Sequence, residues 1–225
     1  MTKKNEILRV KGKIKESYGK LSKIYAAFES RLESKLREKA LWFLKIREGE
    51  TVLEIGFATG STLVEAAKSV GKKGKIYGLE VTPEMVELAK EKLEKTGLTG
   101  RTILSEGDAR KMPYENNMFD AVYMVGVLEL FDTPDIPKVL KEIKRVLKRN
   151  GRLVVASISK KNHENSMAIK IYEWIHRTLP KYASCRPIYV EDSIVDAEYE
   201  ILEMDELLLG KLLPIKFVVA KPKHP

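Results

Sequence analysis

Five residues, Thr51-Val-Leu-Glu-Ile55, run apolar and β-branched straight into a turn punctuated by small residues, Gly56-Phe-Ala58-Thr59-Gly60. A run this short and apolar reads as a strand buried on both faces. Small residues at alternate positions allow a sharp reversal and let backbone amides come close to a ligand. A parallel sheet flanked by helices has room for such a turn, because its ligands lie at the carboxyl edge of the strands.

The rest of the chain fits that architecture. A helix is expected from about Ser61 to Val70, then the strand Lys75–Glu80. Thr82-Pro-Glu opens a second helix with a capping residue and a proline at its first position, and Gly97 stops it. Arg101–Ser105 and Phe119–Val125 read as further strands, Ile136–Leu147 as a helix, and Gly151–Ser157 as a fifth strand. Strict alternation of strand and helix predicts right-handed crossovers and a sheet covered on both sides. The tail breaks the pattern. After a helix over Ser166–Leu179, Tyr199–Glu206 and Lys216–Ala220 follow as two strands with no full helix between them, which predicts an antiparallel hairpin. The expected fold is α/β, a doubly wound, mostly parallel seven-stranded sheet with an antiparallel C-terminal hairpin.

Upstream, Ile14, Leu21, Ile24, Phe28, Leu32, Leu36, Leu41 and Leu44 recur at helical spacing. Residues 1–45 are therefore expected to form an N-terminal helical lid and basic arm, and 46–225 the main domain. Lys3, Lys4, Arg9, Lys11, Lys13, Lys15, Lys20 and Lys23 face only Glu6 and Glu16, and they concentrate the chain's net charge of +9 in this arm. Such an arm can track nucleic acid or an anionic membrane surface, although a solvated helix face is its commoner role.

Charged residues at 32% alongside 44% hydrophobic ones exclude a disordered chain. No apolar run reaches membrane-spanning length and Met1–Glu6 lacks a secretory signal, so a cytoplasmic protein is expected. The single cysteine, Cys185, forms no internal disulfide and has no partners for a zinc site. No metal is expected.

Three strand ends carry the candidate chemistry. Glu54 stands just before the glycine turn. Glu80 ends the second strand, where a carboxylate can accept hydrogen bonds from both ribose hydroxyls of an adenosine. Glu106-Gly-Asp108-Ala109 follows the third strand and sets another carboxylate beside a small residue. A nicotinamide dinucleotide is the rival ligand, but its pyrophosphate calls for an unobstructed helix amino terminus, and Glu54 beside the loop suits a cationic amino acid better.

Over roughly residues 45 to 160 the chain resembles the class I S-adenosylmethionine-dependent methyltransferases, with Ala58 in place of the usual middle glycine. That resemblance implies S-adenosyl-L-methionine as cofactor. Glu54 with Gly56, Ala58, Thr59 and Gly60 would serve its methionine end and Glu80 the ribose. Val81 would pack on the adenine face, Asp108 with Ala109 would meet the adenine edge, and Val125 would offer its carbonyl to the amino group.

For the acceptor, Tyr18 and Tyr25 on the N-terminal helix and the tail segments Cys185–Ile188 and Leu213–Lys216 resemble the branch of ubiquinone and menaquinone C-methyltransferases and phospholipid N-methyltransferases, in which a helical lid closes over the cofactor. The resemblance implies a small-molecule or lipid-like acceptor, and the basic arm would fit an enzyme that makes peripheral contact with an anionic membrane to reach it. Candidate substrate residues are Tyr18, Tyr25, Glu129, His163 and Arg186. His163 reads more readily as a solvent or capping histidine than as a base, and Arg186 as a salt-bridging residue. No catalytic residue is assigned, because an in-line displacement can proceed by alignment alone. An RNA methyltransferase using the basic arm is the runner-up, and a noncatalytic nucleotide-binding partner is a third reading. Met124-Val-Gly-Val after the fourth strand lacks the motif of enzymes that methylate exocyclic amines of DNA.

Overall fold

The computed structural model describes residues 31–178, 185–210 and 212–223. Its strands are β1 (Thr51–Ile55), β2 (Lys75–Glu80), β3 (Thr102–Glu106), β4 (Phe119–Val125), β5 (Leu147–Ile158), β6 (Tyr199–Leu209) and β7 (Leu213–Pro222). They form one seven-stranded sheet in the order β3-β2-β1-β4-β5-β7-β6. The first five are parallel, and β7 runs antiparallel to both β5 and β6. The expected doubly wound sheet and its C-terminal hairpin are both present.

Helices α1 (Arg31–Leu44), α2 (Ser61–Ser69), α3 (Pro83–Thr96), α4 (Ile136–Val146), α5 (Met167–Thr178) and α6 (Val190–Asp196) complete the described fold. Strand faces alternate between two cores. Val52, Ala121, Tyr123, Val154 and Ala156 join one core with α1, α2 and α3. Leu53, Val122, Met124, Leu153 and Val155 join the other with α4 and α6. Burial on both faces is why these strands read as continuous apolar runs rather than as alternating ones.

The chain leaves β1 for β2 and β3 on one side, then returns to β4 on the other, so the direction of winding reverses beside β1. Register brings the strand ends level. Ile55 pairs with Leu79 and with Met124, and Glu80 pairs with Glu106. Gly56, Glu80, Val125 and the loop after Glu106 thus meet at one edge, where open α/β sheets bind ligands.

Three expectations need correction. Helix α1 lies within the segment assigned to a separate lid, yet Leu36, Ala40, Phe43 and Leu44 are buried against the sheet and Phe43 stacks on Phe217 at 5.8 Å. Arg152 of β5 ties the end of this helix down, donating to the carbonyls of Leu44 and Lys45 while pairing with Glu50 at 2.7 Å. The apolar stripe of α1 therefore belongs to the main core. The remainder of the expected lid, with Tyr18, Tyr25 and the basic arm, lies outside the described residues. Helix α6 had no assignment from sequence because seven residues show little periodicity. The hairpin strands are longer than their apolar runs, since pairing with each other continues to Leu209 and Leu213 beyond the buried stretch.

Candidate active site

The turn after β1 is built from left-handed backbone. Gly56 has φ 70°, and a Cβ there would sit 2.5 Å from Cγ2 of Val127. Ala58 takes φ 47°, unusual for a residue with a side chain. Its amide donates to Oε2 of Glu80 at 3.1 Å, which holds the strained residue in place. Gly60, at φ 77°, has another cause: a Cβ there would meet Cβ of Ala89 at 2.8 Å, so it sets how closely α2 packs on α3. Thr59 is buried, and its hydroxyl accepts from Nζ of Lys92 at 3.2 Å. The cleft described next is lined by Gly56 and Ala58 but not by Thr59 or Gly60, because the turn directs those two toward α3.

Glu80 closes β2 at the floor of that cleft. Its Oε1 accepts from the amides of Val81 and Thr82 at 2.8 and 3.0 Å, in addition to the Ala58 bond. Burial pushes its pKa up while these three bonds oppose the rise. The Thr82 side chain is a further hydrogen-bond partner, and together these donors fix the orientation of the carboxylate at the cleft floor. Val81 lines the cleft beside it.

On the far wall, Asp108 reaches the cleft as expected, but its carboxylate is held by Arg110. It accepts from the Arg110 amide at 2.9 Å and from Nε and Nη2 at 3.1 and 2.8 Å. Arg110 also pairs with Asp135 at the start of α4. Asp108 thus anchors the loop after β3 to α4, and buried Ala109 presents the small surface. Leu79, Met85, Leu130 and Phe131 give the cleft apolar walls. The sequence reading missed Arg110, although its place two residues after Asp108 was the available signal.

A second chamber, about 1070 Å³ to its mouth, lies on the α1 side of the sheet. Gly56, Ala58, Val125 and Gly126 line both spaces, so the two lie side by side. Two buried carboxylates face the chamber. Glu54 accepts from the Tyr123 hydroxyl at 2.7 Å, and burial pushes its pKa up to about 8. Glu129, 2% exposed, accepts from the Ser157 hydroxyl and from the Ile158 amide at 3.3 Å, and burial raises its pKa too. The remaining walls are largely apolar: Leu36 of α1, Phe57, Tyr172 of α5, Cys185, Leu209, Leu213 and Ile215. Arg37 of α1 contributes the chamber's positive charge, and its field lowers the pKa of Glu54 against the effect of burial.

Two expected substrate residues lie elsewhere. His163 Nε2 is 3.0 Å from Glu206 Oε1, in a network in which Glu206 also pairs with Lys216 at 2.9 Å. It fastens the loop after β5 to the hairpin and lines neither space. Arg186 donates to the Phe131 carbonyl at 2.8 Å, which braces a loop that lines the first cleft, and burial lowers its pKa.

A family model described as a methyltransferase domain matches residues 52–151. The demethylmenaquinone methyltransferase of Lactobacillus johnsonii is 32% identical over 157 residues, covering 69% of this chain and 62% of that protein. The sterol 4-C-methyltransferase strm-1 of Caenorhabditis elegans is 30% identical over 161 residues, covering 72% of this chain and 46% of that protein. The chain thus spans less than two thirds of either relative. A crystal structure of a SAM-dependent methyltransferase from Aquifex aeolicus aligns with a TM-score of 0.65 at 25% identity, over 88% of this chain and 97% of that one. The chain carries a class I S-adenosylmethionine-dependent methyltransferase domain.

The residues present fit that cofactor. Glu80 is an oriented carboxylate that would suit a ribose diol, Val81 and Ala109 line the same cleft and would suit adenine, and Val125 lines both spaces. At the far side of the glycine turn, the Glu54 carboxyl group and the Arg37 guanidinium line the space where the amino-acid end of the cofactor would fit.

Proposed function

We propose that the protein transfers the methyl group of S-adenosylmethionine to a small, lipid-like acceptor held in the chamber between α1, α5 and the C-terminal hairpin. The observation that carries this reading is the junction at Gly56, Ala58, Val125 and Gly126, where an adenosine-sized cleft meets a largely apolar chamber. The two relatives, a demethylmenaquinone and a sterol methyltransferase by name, support an apolar acceptor.

The bound cofactor supplies an electrophilic methyl group on a positively charged sulfur. The protein's part is to align and desolvate. Glu80 would hold the ribose, and Glu54 and Arg37 would hold the amino-acid end of the cofactor. The apolar walls exclude water and bring the acceptor atom into line, which supplies much of the rate when no covalent nucleophile is used. Glu129 accepts a proton from an acceptor whose reacting atom carries one. Burial raises its pKa above the usual carboxylate range and so strengthens it as a base.

The test is to incubate the full chain with methyl-labelled cofactor and either a lipid and quinone extract or total RNA. Label is expected in the extract. Label in RNA alone overturns the lipid-like acceptor in favour of nucleic acid, and no label in either pool, from protein that binds the cofactor, overturns the transferase reading.

A further inference from the structure

Helix α5 has two faces with different tasks. Ile169, 1% exposed, and Tyr172 turn inward, Ile169 into the core and Tyr172 onto the acceptor chamber. Outward, Met167, Ile171 and Trp174 are 70%, 50% and 57% exposed. Spacings of four and three residues put these three side chains on one stripe. Exposed Lys170 and Arg177 fall beside that stripe by the same helical geometry. The hairpin turn, whose Leu209 and Leu213 also line the chamber, adds Leu212 at 66% exposure. Single exposed apolar residues are ordinary, but a tryptophan-containing stripe with flanking cations on one helix is the arrangement that seats in a lipid interface.

We infer that the outer face of α5 is a membrane-docking surface: Met167, Ile171 and Trp174 enter the headgroup boundary of an anionic bilayer, Lys170 and Arg177 meet its phosphates, and the chamber behind the helix faces the lipid. Charge complementarity supports a bilayer over a second copy of this chain, whose own net charge of +9 would repel it. Continuity supports it as well. The helix that carries the stripe also walls the chamber, so an apolar acceptor leaving the bilayer has a short, partly dry path. Among the described residues no helix is long and apolar enough to cross a membrane, which leaves surface contact as the mode available to α5. The inference rests on the lipid-like acceptor proposed above, but its test does not use methyl transfer.

The chain has two tryptophans, so the full-length Trp42→Phe protein reports on Trp174 alone. It is mixed with vesicles of phosphatidylcholine containing or lacking phosphatidylglycerol, and both emission and co-sedimentation are recorded. Expected are co-sedimentation with the anionic vesicles and a shift of Trp174 emission to shorter wavelength. The Met167→Ser/Ile171→Ser variant, altered only at exposed positions, should keep its fold and lose partitioning by roughly tenfold. Co-sedimentation with unshifted Trp174 emission, abolished by salt, would place binding on other basic residues and overturn the α5 surface. No co-sedimentation overturns it as well. Concentration-dependent self-association that the double variant abolishes assigns the stripe to a second copy instead. If Trp174 inserts while no lipid accepts label, the docking surface stands and the acceptor reading fails.

Discussion

The adenosine-sized cleft and the acceptor chamber share four residues yet are built in opposite ways. In the cleft, the carboxylates are held by the protein: Glu80 takes three backbone amides and Asp108 takes Arg110. Most of those bonds span one, two or 22 residues, so short strand-end loops supply the site. In the chamber, Glu54 and Glu129 are more deeply buried and have fewer donors, and one of these donors, Tyr123, stands 69 residues from its acceptor. The cleft is pinned by short-range backbone bonds. The chamber sets buried carboxyl groups among largely apolar walls from α1, α5 and the hairpin. On the function proposed above, the first would serve recognition and the second reactivity.

The strongest challenge to that division is Glu129→Gln. If Glu129 removes the acceptor's proton, kcat should fall by roughly 10²- to 10⁴-fold while cofactor affinity stays constant. Steady-state kinetics beside calorimetric titration with cofactor separates the two, and an equal loss in both would move Glu129 into the cofactor socket.

Next comes Glu80→Ala. Loss of a charged acceptor should weaken cofactor binding by about 1.5 to 3 kcal/mol, or roughly ten- to hundredfold. Because the same carboxylate pins Ala58, Val81 and Thr82, the melting temperature should fall too. Glu80→Gln keeps one oxygen acceptor, and recovery of stability without affinity would assign the two tasks separately.

Glu54→Gln tests the chamber's proton chemistry through pH. Burial raises the folded-state pKa of Glu54 from 4.5 to about 8, so in that interval the folded protein holds a proton that the unfolded chain has released. Stability contributed by this group therefore falls as pH rises from about 4.5 to about 8, by up to roughly 1.4 kcal/mol per pH unit. Denaturant titrations across the window should show a shallower decline in the glutamine variant. An unchanged slope would mean that other groups govern it.

The smallest effect is expected at His163→Gln. The variant removes a partly exposed pairing with Glu206 that lines neither space, so stability should change by about 1 kcal/mol or less and turnover hardly at all. A large loss of turnover would return His163 to the chemistry and weaken the distinction drawn between the two regions.

The cleft was legible in the linear chain because its parts are local. A strand buried on both faces shows as an apolar run, a left-handed turn shows as Gly56, and a carboxylate at a strand end shows as Glu80, each set by backbone hydrogen bonding within a few residues. Tertiary structure alone decided the rest. It turned Thr59 and Gly60 toward α3, gave Asp108 to Arg110, and folded α1 into the core instead of leaving it as part of a separate lid. It also brought Glu54, Tyr123, Glu129 and Ser157 around one chamber. Periodicity specifies which face of an element is apolar but not what that face meets, and a buried carboxylate gains its altered proton affinity only when distant strands close around it.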